Sequence, residues 1–245
     1  MDKIEVNSLP NSRGSIFSLG LWGLIIGIIG GMVGSPMLGF IESEAWLWIS
    51  TGLGFIGLLM QFFFFLFFAN ACKSLGNSTF NQCAILAYSL LLFAVLKACN
   101  SIFRSDVFLL ISLIPALIEL IIFIVLAVKF KRNYSGLLGR VGAQMLKLIK
   151  IACIIIGVVI LYVLILLVIA GVTHQYSRRL PHPSLPYIFI ILGITIVGLS
   201  VWLLIATVKL YSTMDELMVY GYDVNYNSQT SAYNLPDPPL REPKN

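Results

Sequence analysis

The sequence predicts an all-α, polytopic membrane protein, a bundle of about six transmembrane helices with both ends on one side of the bilayer. Three observations predict it: an extreme apolar composition, six long uninterrupted apolar runs, and a lopsided distribution of lysine and arginine. The 245 residues are 58% hydrophobic and 11% charged, with a mean hydropathy of +0.93. A soluble domain carries about 25% charged and 45–50% apolar residues, so composition decides the class before any motif is read. A disordered chain, a nucleic-acid module and a disulfide scaffold are excluded at this step. The net charge of +5 does not indicate nucleic acid, because the basic residues mark the sides of the membrane.

Crossing a hydrocarbon core of about 30 Å takes roughly 20 apolar residues in a helix. Six runs qualify, at 16–41, 45–71, 83–103, 107–128, 147–172 and 186–211. They are continuous and show no alternation, which indicates helices rather than barrel strands. Ile41-Glu-Ser-Glu44 and Arg104-Ser-Asp106 are the whole of two connections, so runs one and two, and runs three and four, form tight hairpins. The first run follows a 15-residue polar lead and lacks a small-x-small exit site. It is therefore expected to stay as a helix rather than leave as a signal peptide.

Orientation follows from the positive-inside rule. With six spans, 12 of the 16 basic residues fall on the side of the termini and four (Lys97, Arg104, Arg178 and Arg179) on the other. The expected layout is a cytoplasmic segment 1–15, a six-helix domain 16–211 and a cytoplasmic tail 212–245. Trp22, Trp46, Trp48 and Tyr211 fall toward span ends, where amphipathic rings favour the headgroup zone. Trp202 reads as a deeper packing residue.

The connection 129–146 is expected to be a basic cytoplasmic loop, and Lys129, Lys131, Arg132, Arg140, Lys147 and Lys150 are expected at the membrane surface. Its second half places Arg140, Gln144 and Lys147 on one helical face and Val141, Met145 and Leu148 on another. That pattern fits either an interfacial helix on an anionic leaflet or a charged turn with snorkelling lysines. The tail holds four tyrosines (Tyr220, Tyr222, Tyr226 and Tyr233) and Leu235-Pro-Asp-Pro-Pro-Leu240. Too poor in aliphatic residues to bury a core, it is expected to be disordered or docked on a cytoplasmic partner.

Catalytic motifs are lacking: no phosphate-binding glycine loop, no His-Glu-x-x-His, no Gly-x-Ser-x-Gly and no Cys-x-x-Cys. Neither a metal site nor a cofactor is expected. His174 and His182 share a loop without other ligand-type neighbours, and the four cysteines are scattered. An enzyme is thus not the expected class.

Polar groups within the apolar runs are the remaining chemical signal. Glu119 lies midway along the fourth run, one turn after Pro115. A charged carboxylate at mid-bilayer costs at least about 2.5–3.5 kcal/mol on the insertion scale, so it must face the interior, be protonated or meet a cation. Lys97, Gln61 and Asn100 are the other intramembrane candidates. Together they are either a proton or cation site or interhelical hydrogen-bonding groups. Gly23, Gly27 and Gly31, with Gly30 and Gly34 beside them and Gly52 on the second run, form small-residue faces for close helix packing. The favoured function is a structural, accessory or assembly subunit, bound to the lipid bilayer and to other membrane subunits or to copies of itself. The alternative is a small transporter or channel using Glu119.

Overall fold

The computed structural model describes residues 3–9, 16–33, 44–103, 105–176 and 185–233. Helices α1 (Phe17–Val33), α2 (Glu44–Ala71), α3 (Asn77–Phe103), α4 (Asp106–Asn133), α5 (Gly136–Tyr176) and α6 (Leu185–Tyr233) make up nearly all of the described residues. Two short strands, β1 (Ile4–Glu5) and β2 (Tyr134–Ser135), pair in parallel. Five helical segments are long and apolar enough to cross a membrane: Ala45–Leu75, Asn77–Phe103, Leu110–Asn133, Gly136–Ile165 and Gly193–Val219. The 17 residues of α1 rise about 25 Å, short of the hydrocarbon core, and the rest of the expected run 16–41 lies outside the described residues.

Each helix packs on the next in sequence, and α6 returns to α1 and α2. The α1–α2 seam is built on glycine. A Cβ on Gly57 would lie 2.6 Å from the Gly27 nitrogen, one on Gly30 would lie 2.7 Å from the Gly54 nitrogen, and one on Gly23 would lie 2.9 Å from the Gly57 oxygen. Bare backbones thus meet where any side chain would force them apart. The Ser50 hydroxyl donates to the Gly30 carbonyl at 2.7 Å across the same seam. Gly31 and Gly52 face open space, and Gly34 lies outside the described residues.

Most of the core sits toward one end of the bundle. Phe64, Phe65 and Phe68 of α2 lead from Tyr211 of α6, 4.5 Å from the Phe64 ring, to Phe130 of α4, 6.4 Å from the Phe68 ring. Leu126, Leu138, Val141, Ile151, Leu210, Met214 and Leu217 fill the space around this aromatic row. Tyr211 is therefore a buried core residue rather than a headgroup-zone anchor, whereas Trp202, expected in packing, is exposed. Of the phenylalanine run, Phe62, Phe64, Phe65 and Phe68 are buried and Phe63 is exposed.

That same end is tied by the N-terminal segment. Beyond the β1–β2 pairing, the Val6 N–H donates to the Ser135 carbonyl at 3.2 Å. The first N–H groups of α5 lack intrahelical partners, and the segment supplies them: Leu137 donates to the Asn7 side-chain oxygen at 3.1 Å and Leu138 to the Val6 carbonyl at 3.0 Å. Leu9 is fully buried, and its N–H donates to the Leu217 carbonyl at 3.1 Å. Asp215 in turn accepts the N–H groups of Ile16 and Phe17, at 2.7 and 3.0 Å, where α1 begins.

Three expectations change as a result. Within the leading segment 1–15, residues 3–9 form a strap across α4, α5 and α6 rather than a free polar lead, because they complete helix ends. The connection 129–146 is helical on both sides of β2 rather than a loop. It closes that tightly because Gly136 has φ +69°, and because Gly139 packs against the Tyr134 carbonyl and Gly142 against Phe130 and Lys131 of α4. The tail does not become polar coil at 212: α6 continues to Tyr233, and Thr213, Met214, Leu217 and Met218 are buried. Their spacing extends the apolar stripe of α6 by two turns. Residues 234–245 lie outside the described residues.

Candidate functional site

Glu119 lines a cavity of about 430 Å³ that starts where the core ends. Helix α4 contributes Ala116, Glu119, Leu120 and Phe123, on one face of a helix that runs through Pro115 unbroken. Helix α3 adds Phe93, α5 adds Leu148, Ile149 and Ala152, and α6 adds Leu203 and Thr207. Four helices therefore wall the space, and Leu148, also counted in the core, forms part of its floor. Beyond this level, no side chain from Cys153 to Ile165 on α5 or from Gly193 to Ile205 on α6 is buried.

The lining is polar at two points. Glu119 is half-buried, and the Thr207 hydroxyl donates to the Leu203 carbonyl at 2.9 Å, one turn back on its own helix. That bond occupies the hydroxyl proton and leaves the oxygen as an acceptor. The wall offers Glu119 no lysine, arginine or histidine. The chemical character is that of a carboxyl group in an apolar, partly aromatic groove that is open on one side, where Leu120 is exposed, with no basic residue in the lining to meet a negative charge.

The other polar candidates do not join it. Lys97 is exposed and lines a separate cavity of about 230 Å³ between α1, α2 and α3, together with Gly30, Gly31, Ser50, Thr51 and Ser101. Gln61 is half-buried beside Gly23 in the α1–α2 seam. Asn100 is half-buried near the end of α3 and lines neither cavity. Gln61 is thus on the helix packed against α1, and it does not line the Glu119 cavity.

The basic residues cluster at the strapped end. Lys129 is half-buried and donates to the Gln82 side-chain oxygen of α3 at 3.1 Å. The Lys131 carbonyl accepts from Lys3 at 3.1 Å, and Lys131, Arg132, Arg140, Lys147 and Lys150 are exposed. Val141, Met145 and Leu148 are buried on the opposite face of α5, so residues 137–150 form the amphipathic start of a long helix. Among the described residues no group of three metal-ligating side chains occurs.

Sequence reasoning did not anticipate the strap, Asp215 as the cap of α1, or the cavity wall outside Glu119. Two signals were present: the alternation of Ile4 and Val6 with polar neighbours, and the three-residue spacing of Gly136, Gly139 and Gly142. Compared with protein-family models, curated proteins and solved structures, the chain matches none. The site must therefore be read from its own geometry.

Proposed function

We propose that the protein is a six-helix membrane carrier, with both ends cytoplasmic, in which Glu119 takes up a proton or a cation. One observation carries this reading: a half-buried carboxylate stands beside a four-helix cavity of about 430 Å³ whose lining holds no basic residue. A carboxylate that served packing alone would be expected to meet a basic or hydrogen-bonding side chain in the lining, since burying a charge in a spanning helix is costly. The cavity instead leaves room for an external partner. The orientation rests on the distribution of lysine and arginine, 12 of 16 falling on the side of the termini when six spans are counted, as the positive-inside rule asks of a cytoplasmic face. The first helix is included as a span on the length of its apolar run.

The test is reconstitution of the full chain in liposomes carrying a pH gradient, with a panel of inorganic and organic monovalent cations added outside. At least one cation should dissipate the gradient with the wild-type chain and fail to do so with Glu119→Gln. Equal dissipation in both, or none in either, would overturn the reading.

A second reading, a structural or assembly subunit, is favoured by the bare-backbone α1–α2 seam and the strap, which join helices through packing alone. It predicts that the chain, gently extracted from its own membrane, migrates in a complex with other membrane subunits. It also predicts that Glu119→Gln changes no flux, and that removing the residues after Tyr233 releases any cytoplasmic partner.

A further inference from the structure

The charge and lining of the Glu119 cavity specify a ligand class as well as a charge. We infer that the cavity takes a lipophilic organic cation, a protonated amine or a quaternary onium ion carrying alkyl or aryl groups, rather than an inorganic ion. This rests on the reading of Glu119 as a cation site and narrows it.

Inorganic cations are bound by replacing their hydration shell. Calcium takes six to eight oxygen ligands, and magnesium keeps several waters in a strict octahedron. The cavity presents two oxygen-bearing side chains, Glu119 and Thr207, and the Thr207 proton is already committed to Leu203. An inorganic ion brought here would be left short of most of its ligands.

An organic cation has the opposite requirements. Its charge is spread and weakly hydrated, so one carboxylate suffices to balance it. Phe93 and Phe123 line the same space, and aromatic rings attract such cations. Leu120, Ile149 and Leu203 supply apolar wall for the substituents. A volume of about 430 Å³ falls within the roughly 300–1,000 Å³ typical of small-molecule pockets, whereas a proton relay needs no such room.

The experiment measures equilibrium binding of labelled tetraphenylphosphonium and of ²²Na⁺ to the purified full-length chain in lipid nanodiscs. Wild type, Glu119→Gln, Glu119→Asp and Ala152→Phe are compared, with Lys97→Ala as a control in the other cavity. The expected result is saturable tetraphenylphosphonium binding, weakened at least tenfold by Glu119→Gln and by Ala152→Phe, restored in part by Glu119→Asp and unchanged by Lys97→Ala. Sodium should not compete. Sodium binding that depends on Glu119, without tetraphenylphosphonium binding, would overturn the ligand class while leaving the cation-site reading standing. If binding of neither probe depends on Glu119, both fall. The Lys97→Ala and Glu119→Asp chains guard against misreading a folding defect as a lost site.

Discussion

The carboxylate of Asp215 accepts the backbone N–H of Ile16 at 2.7 Å, joining residues 199 positions apart and capping the first membrane-directed helix from the last one. With the Phe17 N–H also bound at 3.0 Å, Asp215 does for α1 what a local N-cap residue does elsewhere, and its charge suits the positive end of the helix. Asp215→Ala should therefore cost about 0.5–2 kcal/mol. Asp215→Asn should cost less, because an amide oxygen still accepts. Thermal unfolding in detergent distinguishes the two, and an alanine variant as stable as wild type would refute the capping role.

Leu9 gives a sharper test of the strap. It is fully buried, whereas Ile4 in the same segment is 62% exposed. Leu9→Ala should cost about 2–5 kcal/mol, as for other buried leucines, while Ile4→Ala should stay within about 0.5 kcal/mol. If the leading segment were a free polar arm, both substitutions would be silent.

At the glycine seam, the contrast lies between Gly57, where a Cβ meets Gly27 backbone at 2.6 Å, and Gly52, where it meets nothing within 4 Å. Gly57→Val should separate α1 from α2 and cost about 1–3 kcal/mol from overpacking. Gly52→Val should leave the seam intact. A disulfide-trapping rate between cysteines placed on the two helices reads the separation directly.

The side-chain oxygen of Gln144 is buried without a hydrogen-bond partner among the described residues. An unmatched buried acceptor costs about 1–3 kcal/mol, so Gln144→Met, similar in length and apolar, should raise stability by about 1 kcal/mol. A loss of stability would mean that the amide makes a contact the described residues do not account for.

The apolar runs were legible as helices because burial in lipid demands continuous apolar sequence and internal backbone bonding. Helix ends were not, since they are set by partners distant in sequence. Polar composition after residue 211 suggested a tail, yet Met214, Leu217 and Met218 continue the buried stripe of α6, so spacing should have outweighed mean polarity there. The connection 129–146 reads as a basic loop whose second half is either a helix or a charged turn; the helix is what forms, because Gly136, Gly139 and Gly142 allow the chain to reverse against Phe130 within two residues. Glu119 was visible as an anomaly in an apolar run. Its surroundings were not, because Phe93, Ile149 and Thr207 come from three other helices and carry no local signal. Lys97 is the nearest cation by type in the sequence, but it lies closer to the end of its helix than Glu119 does, and the packing of α3 places it in the other cavity.

The most direct test of the Glu119 cavity is labelling with dicyclohexylcarbodiimide, an apolar reagent that enters membranes and couples to protonated carboxyl groups, followed by peptide mass spectrometry. Our account predicts modification of Glu119, not of Asp215 or Glu216 at the strapped end, with labelling suppressed by excess tetraphenylphosphonium. An unlabelled Glu119, or labelling indifferent to the lipophilic cation, would contradict it.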